Sequence, residues 1–227
     1  MSRYKGVIFD FNGVLIYDGY LQELSWQKIF SKITKKDISI DKIRSFIHGK
    51  TVKEVLENFI GKKLTTDELM DLADEKENYY RNLCLKDKEH FKLAKGAENF
   101  LNWLKISDIP IAIATSAGKS NMDFYFKYLK LSNWFSWDVV VYDDGTVKSK
   151  PAPDPYLLAA KKLNVLPQDS IVIEDSIAGI KSAKAARIGY IIAVCAERKA
   201  DSFIKKNANL IISSFDELTF KLKEETK

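Results

Sequence analysis

The chain has 227 residues, a formal net charge of +5, 46% hydrophobic and 30% charged residues, which fits a globular protein with one sizeable core or a core plus a smaller domain. No apolar run approaches the roughly 20 residues of a membrane helix, and the first residues lack the layout of a signal peptide, so no membrane partner and a cytoplasmic location are expected. Acidic residues interleave with the lysines and no basic stripe carries aromatics, so no nucleic-acid partner is expected, while the two distant cysteines, Cys84 and Cys195, read as buried reduced thiols.

A short apolar run at residues 5–9 reads as a first strand and ends in Asp10-Phe11-Asn12-Gly13. Residues 16–92 hold no comparable run. There, Trp26, Ile29, Phe30 and Ile33 follow helical spacing, as do Val52, Val55, Leu56, Phe59 and Ile60, and then Leu69, Leu72, Ala73, Tyr80 and Leu83. His48-Gly49-Lys50 precedes Thr51, a residue type suited to cap the helix that follows. From residue 109 onward, short apolar runs alternate with amphipathic stretches. The runs lie at 109–114, 138–142, 170–173, 189–194 and 209–212, each β-branched and apolar on both faces, as buried parallel strands are. Asp154 and Pro155 open a helix, with Asp154 as its expected N-cap. The Lys/Glu-rich tail, 221–227, is expected to fray. The alternation predicts an α/β fold: a doubly wound, Rossmann-like parallel sheet built from 1–15 and 93–227, with a helical domain, 16–92, inserted after the first strand.

In such a sheet, ligands bind beyond the carboxyl ends of the strands. The first strand ends in Asp10, the run at 109–114 in Thr115-Ser116, and the run at 170–173 in Glu174-Asp175-Ser176. Carboxylates at two strand ends suit a hard cation that prefers oxygen, such as Mg2+. Thr115, Ser116 and the backbone around Ala117 and Gly118 can hold phosphate oxygens at a helix start. Lys150, just before a proline-stiffened loop, can neutralise charge on a transferring phosphoryl group.

The segments Asp10-Phe11-Asn12-Gly13-Val14-Leu15, Thr115-Ser116, Lys150-Pro151-Ala152-Pro153-Asp154 and Ile173-Glu174-Asp175-Ser176-Ile177-Ala178-Gly179-Ile180 resemble the four ordered motifs of the haloacid dehalogenase-like hydrolases. The closest likeness is to the branch of β-phosphoglucomutase and the sugar-phosphate phosphatases, and it covers nearly the whole chain. The resemblance implies a magnesium-dependent phosphatase acting on small phosphomonoesters. Asp10 would be phosphorylated. Asp10, Asp175 and the Asn12 carbonyl would bind Mg2+, with Glu174 supporting the metal. Thr115 and Lys150 would hold the phosphoryl group, with Ser116 and Ala117 beside them. The inserted helices would form a cap whose His48, Gly49 and Lys50 meet the substrate. A monomer is expected.

The pattern breaks at residue 12. The family usually has a second aspartate there as general acid/base, and Asn12 cannot shuttle a proton. Three readings stand side by side: a slow phosphatase; one served by a good leaving group or by another base such as His48; or a residue introduced to trap a complex. A phosphomutase would also need a cationic cap residue for a second phosphate. Val52 stands at the matching position, and Arg44 is the nearest substitute. A silent phosphometabolite-binding protein is the remaining alternative. Of the rest, His90 reads as a surface residue without a partner. Trp26, Trp103, Trp134 and Trp137 read as packing residues, and Asp143-Asp144 as a turn with Gly145.

Overall fold

Val7, Ile8 and Phe9 are almost wholly buried, so their strand, β1 (Gly6–Phe9), is covered on both faces. The computed structural model, which describes residues 4–47, 51–195 and 201–218, places β1 inside a parallel sheet with β2 (Ile111–Gly118), β3 (Val140–Asp143), β4 (Ser170–Glu174), β5 (Tyr190–Val194) and β6 (Leu210–Ile212). The strand order is β3-β2-β1-β4-β5-β6. The order reverses beside β1, which is where a doubly wound sheet opens its binding crevice. Register fixes the levels: Phe9 lies opposite Ile113 on one side and Ile173 on the other. Asp10 and Glu174 are therefore each one residue past a paired position, and Thr115 is two past.

The sheet is flanked by α5 (Ala97–Ile106), α6 (Lys119–Leu129), α7 (Asp154–Lys162), α8 (Ile177–Ala185) and α9 (Ser202–Asn207). One core cluster runs through Ile8, Ala112, Val172, Tyr156, Ile180 and Ile191. On the other face, Phe9 meets Phe100, Phe135 and Phe215 at ring separations of 6.2, 5.9 and 6.2 Å. Two local expectations are corrected. The third strand starts at Val140, because Trp137–Val139 forms a 3-10 turn whose Asp138 amide donates to Ser136 Oγ. The N-cap before α7 is Pro153 without a side-chain bond, and Asp154 stands inside the first turn, where its charge favours the helix dipole. The Asp143-Asp144 pair does form a turn, its carboxylates accepting from the Gly145 and Thr146 amides.

The chain divides into two compact units, Met1–Tyr17 with Lys92–Lys227 and Asp18–Phe91. In the first unit the strand-side ends of the division meet. Ile16 bridges Leu93, and the Ala94 amide donates to the Leu15 carbonyl at 2.8 Å.

The second unit holds α1 (Gly19–Thr34), α2 (Ile40–Ile47), α3 (Val52–Ile60) and α4 (Thr66–Lys86). Thr51 and Thr65 cap α3 and α4 through capping boxes with Glu54 and Glu68, satisfying amides that a helix start leaves without partners. Trp26, Ile29, Phe30, Val55 and Leu56 form its apolar core, with the Phe30 and Phe59 rings stacked at 3.6 Å. It also buries a polar cluster. Tyr80 donates its hydroxyl to Asp18 at 2.6 Å, and Gln22 donates to the same carboxylate at 3.0 Å. The Lys76 ammonium donates to Gln22 and Glu77 and lies 5.4 Å from the Trp26 and Tyr80 ring centres. Burial pushes the neighbouring Cys84 thiol up to about 12, so it is an inert packing group. His90, contrary to expectation, has partners: Asp87 at 2.8 Å and the Tyr20 ring at 5.2 Å. The spacing of three residues on a turn was the available signal.

Candidate active site

The carboxyl ends of β1 and β4 and the loop before α7 converge on one buried lysine. Lys150 Nζ donates to Asp10 Oδ1 at 2.6 Å and to Glu174 Oε1 at 2.7 Å. Only 6% of the Lys150 side chain is exposed, and 11% and 1% of its two partners'. Burial opposes the ammonium, but the adjacent Asp10 and Glu174 carboxylates outweigh it and hold Lys150 above the ordinary lysine value. The Lys150–Pro151 peptide is cis.

Glu174 is the anchor of the cluster. Its Oε1 also accepts the Tyr156 hydroxyl at 2.9 Å, and the Tyr156 ring centre lies 4.8 Å from Lys150 Nζ. Its Oε2 accepts the Asp175 and Ser176 amides at 2.7 and 2.8 Å and the Ser176 hydroxyl at 3.1 Å. Burial works against its charge, yet Lys150 and these donors keep Glu174 below its ordinary value. Ser176 meanwhile caps α8 by accepting the Gly179 amide at 2.9 Å. Gly179 is there because of close approach: a Cβ on it would lie 1.6 Å from Glu174 Oε1. Burial pushes the Tyr156 phenol well above its usual range, and Glu174 and Asp10 push it further; it stays a donor.

Asp10, Glu174 and Asp175 each offer a carboxylate oxygen, all within 4.8 Å of one another. One ammonium cannot balance three carboxylates. Burial, then Glu174 and Asp10, push Asp175 well above the ordinary aspartate value. The donors are all oxygens, so the set fits a hard divalent ion. Gly13 lets the loop after β1 pass close to this carboxylate. Its φ is 85°, and a Cβ would lie 2.1 Å from Asp175 Oδ2.

Asn12 lies on that loop. Its Nδ2 donates to the Tyr125 hydroxyl at 3.0 Å, and Tyr125 stacks on Phe11 at 4.5 Å. The loop is closed by an Asn12–Ile16 bridge and by the Gly13 amide donating to the Ile16 carbonyl at 2.8 Å. Thr115 is buried, and its Oγ1 accepts the Ala117 amide at 3.1 Å; contrary to expectation these residues do not open a helix, because β2 continues to Gly118 and α6 starts at Lys119. Ser116 is exposed and lines a small hollow with Thr115, Tyr142, Asp143 and Ser149. His48, Gly49 and Lys50 lie outside the described residues. Tyr125, Tyr156 and Ser176 were not singled out from sequence. The first two are wholly buried on α6 and α7, and only the N-cap position of Ser176, just after Glu174-Asp175, signalled its part.

With this geometry in hand, comparisons with known proteins agree on one family. The family model described as haloacid dehalogenase-like hydrolase matches residues 7–193. Hexitol phosphatase A of Escherichia coli (strain K12) is 28% identical over 96% of this chain and 94% of its own length. The β-phosphoglucomutase of Bacillus subtilis (strain 168) is 31% identical over 80% of each chain. The crystal structure of a HAD hydrolase, family IA, variant 3, from Entamoeba histolytica HM-1:IMSS superimposes with a TM-score of 0.88 at 36% identity, covering 96% of both chains.

Proposed function

Because the chain belongs to the haloacid dehalogenase-like hydrolases, we propose that it is a magnesium-dependent phosphatase that transfers the phosphoryl group of a small phosphomonoester to Asp10 and then to water. The observation that carries this is the buried lysine bridge, with Lys150 Nζ 2.6 Å from Asp10 Oδ1 and 2.7 Å from Glu174 Oε1. Beyond the covalent step on Asp10, phosphoryl transfer depends on positioning and charge neutralisation. Lys150 supplies both, fixing the Asp10 carboxylate and placing a positive charge beside the incoming phosphate. Glu174, with both oxygens held, keeps Lys150 in place.

Asp10, Asp175 and the Asn12 carbonyl would hold Mg2+, with Glu174 behind them. When bound, the ion balances the remaining carboxylate charge and neutralises phosphate oxygens. Thr115 and Ser116, in the last residues of β2 before α6, take the role of binding those oxygens. Phosphorylated carbohydrates are the substrate class favoured by relatives named for hexitol phosphate and phosphorylated carbohydrates.

The test is phosphate release from a panel of sugar phosphates and p-nitrophenyl phosphate. Turnover is expected with magnesium and not with EDTA. Asp10→Asn should lose on the order of 10⁴-fold or more in kcat/KM, the scale of removing a nucleophile; turnover by Asp10→Asn near the parent rate would sink the mechanism. A phosphomutase reading has the 31% identity to a β-phosphoglucomutase in its favour. Against it, Arg44 Nε and Nη2 donate to Glu23 at 2.6 and 2.9 Å, which occupies the arginine otherwise suited to a second phosphate. Conversion of β-glucose 1-phosphate to glucose 6-phosphate without phosphate release would restore that reading.

A further inference from the structure

Taking Asp10 as the phosphoryl acceptor, as proposed above, we infer that this chain selects phosphates carried on an acidic oxygen (anomeric, enolic, phenolic or carboxylic) over phosphates of primary alcohols. The reason lies in what surrounds the nucleophile. In the first step the phosphorus–oxygen bond of the substrate breaks, and its electron pair stays on the leaving oxygen while Asp10 bonds to phosphorus. An alkoxide is a poor leaving group unless a side chain hands it a proton in the transition state.

The side chains bonded to Asp10 and Glu174 are committed to that cluster, and the Tyr125 hydroxyl accepts from Asn12 at 3.0 Å. Lys150 donates to two carboxylates at 2.6 and 2.7 Å, and surrendering its proton would strip the cluster of its ammonium. Tyr156 gives its hydroxyl to Glu174. Glu174 is an acceptor on both oxygens, from Lys150 and Tyr156 on one side and from Asp175 and Ser176 on the other. Asp175 belongs to the set of carboxylates that could hold a cation, and a carboxylate so engaged has no proton to give. Asn12, two residues past the nucleophile, has an amide that donates to Tyr125 and has no acidic proton. A leaving group that is stable as an anion needs none of these groups. It departs with its electron pair and takes a proton from solvent afterwards.

The same residue governs the second step. Water attacks the phosphoryl group, the bond to Asp10 breaks with its electrons returning to the carboxylate, and a proton leaves the water. With an amide at position 12 no base on that loop accepts this proton. Phosphorylated Asp10 therefore forms faster than it breaks down whenever the leaving group is good.

The experiment measures kcat/KM and pre-steady-state product release, in magnesium, for aryl phosphates of graded phenol acidity and for a primary-alcohol sugar phosphate. The parent chain and Asn12→Asp are compared. The parent should lose rate steeply as the leaving group becomes less acidic and should release the first equivalent of p-nitrophenolate in a burst. Asn12→Asp should flatten the dependence, raising the alkyl phosphate by about 10²- to 10⁴-fold and p-nitrophenyl phosphate by less than about tenfold. A shallow dependence in the parent, or an equal gain on every substrate, overturns the inference; Tyr125→Phe and His48→Ala would then locate the proton donor. If phosphate reaches Asp10 with a shallow dependence, only the selectivity falls. If no substrate phosphorylates Asp10, the phosphatase assignment falls with it.

Discussion

Each unit of the molecule buries one lysine beside a tyrosine and a carboxylate, and the two clusters are built differently. Lys150 is tied to carboxylates 140 and 24 residues away. Lys76 bonds Glu77 beside it and Gln22 on α1, and is otherwise wrapped by the rings of Trp26 and Tyr80. Tyr156 donates to Glu174 at 2.9 Å; Tyr80 donates to Asp18 at 2.6 Å. Local partners and aromatic rings let a buried ammonium lie quietly in a helical packing. Two distant carboxylates around one ammonium, with a third nearby, leave excess negative charge, and that excess is what a cation can balance.

Substituting the lysines gives the largest expected contrast. Lys150→Met strands Asp10 and Glu174 in a buried site and should cost about 3–5 kcal/mol of stability, the usual effect of breaking a buried pair, as well as abolishing turnover. Lys76→Met keeps the aromatic packing and should cost about 1.5–3 kcal/mol, the range for lost hydrogen bonds to a charged group, with kcat/KM unchanged. Urea unfolding and phosphate release, run in parallel, read both. Equal losses of activity would erase the distinction.

Magnesium should divide the units next. Asp175 has its pKa raised above 3.8, so the unfolded chain gives up this proton before the folded one. Below 3.8 both forms are protonated and there is no cost. As pH rises from there through the raised folded value, the metal-free protein loses stability. Glu174, lowered from 4.5, acts oppositely: its stabilisation is complete above 4.5 and is lost as pH falls through the lowered value. The stabilisation on adding magnesium, read as a rise in melting temperature, should therefore grow with pH through the Asp175 window, reaching about 2.7 kcal/mol at a hundredfold excess over Kd. A magnesium effect that does not change with pH would argue that the ion binds elsewhere.

The tyrosines give the smallest and most discriminating contrast. Tyr156→Phe and Tyr80→Phe each remove one hydroxyl from a buried carboxylate, for about 1.5–3 kcal/mol. Only Tyr156→Phe should also lower kcat, because Glu174 orients Lys150.

The sequence made the strand-borne half of the site legible. Asp10, Thr115 and Glu174-Asp175 end apolar runs, and a parallel sheet forces such ends to one edge. Lys150 was visible through the prolines that follow it. The helix-borne half was hidden. Tyr125 and Tyr156 obey the same apolar periodicity as the core around them, and only tertiary packing turns their hydroxyls towards Asn12 and Glu174. The start of β3 departs from expectation for a related reason: Val139 continues the β-branched run, but the Ser136 cap draws Trp137–Val139 into a 3-10 turn.

The bridge between Ile16 and Leu93 has an evolutionary consequence. Because the chain leaves and re-enters the sheet unit at adjacent residues, that unit treats everything between them as one closed loop. Loop-closure entropy grows only logarithmically, about 0.6 kcal/mol for each doubling of length. Lengthening, shortening or replacing the inserted helices thus barely disturbs the folding of the unit that carries Asp10.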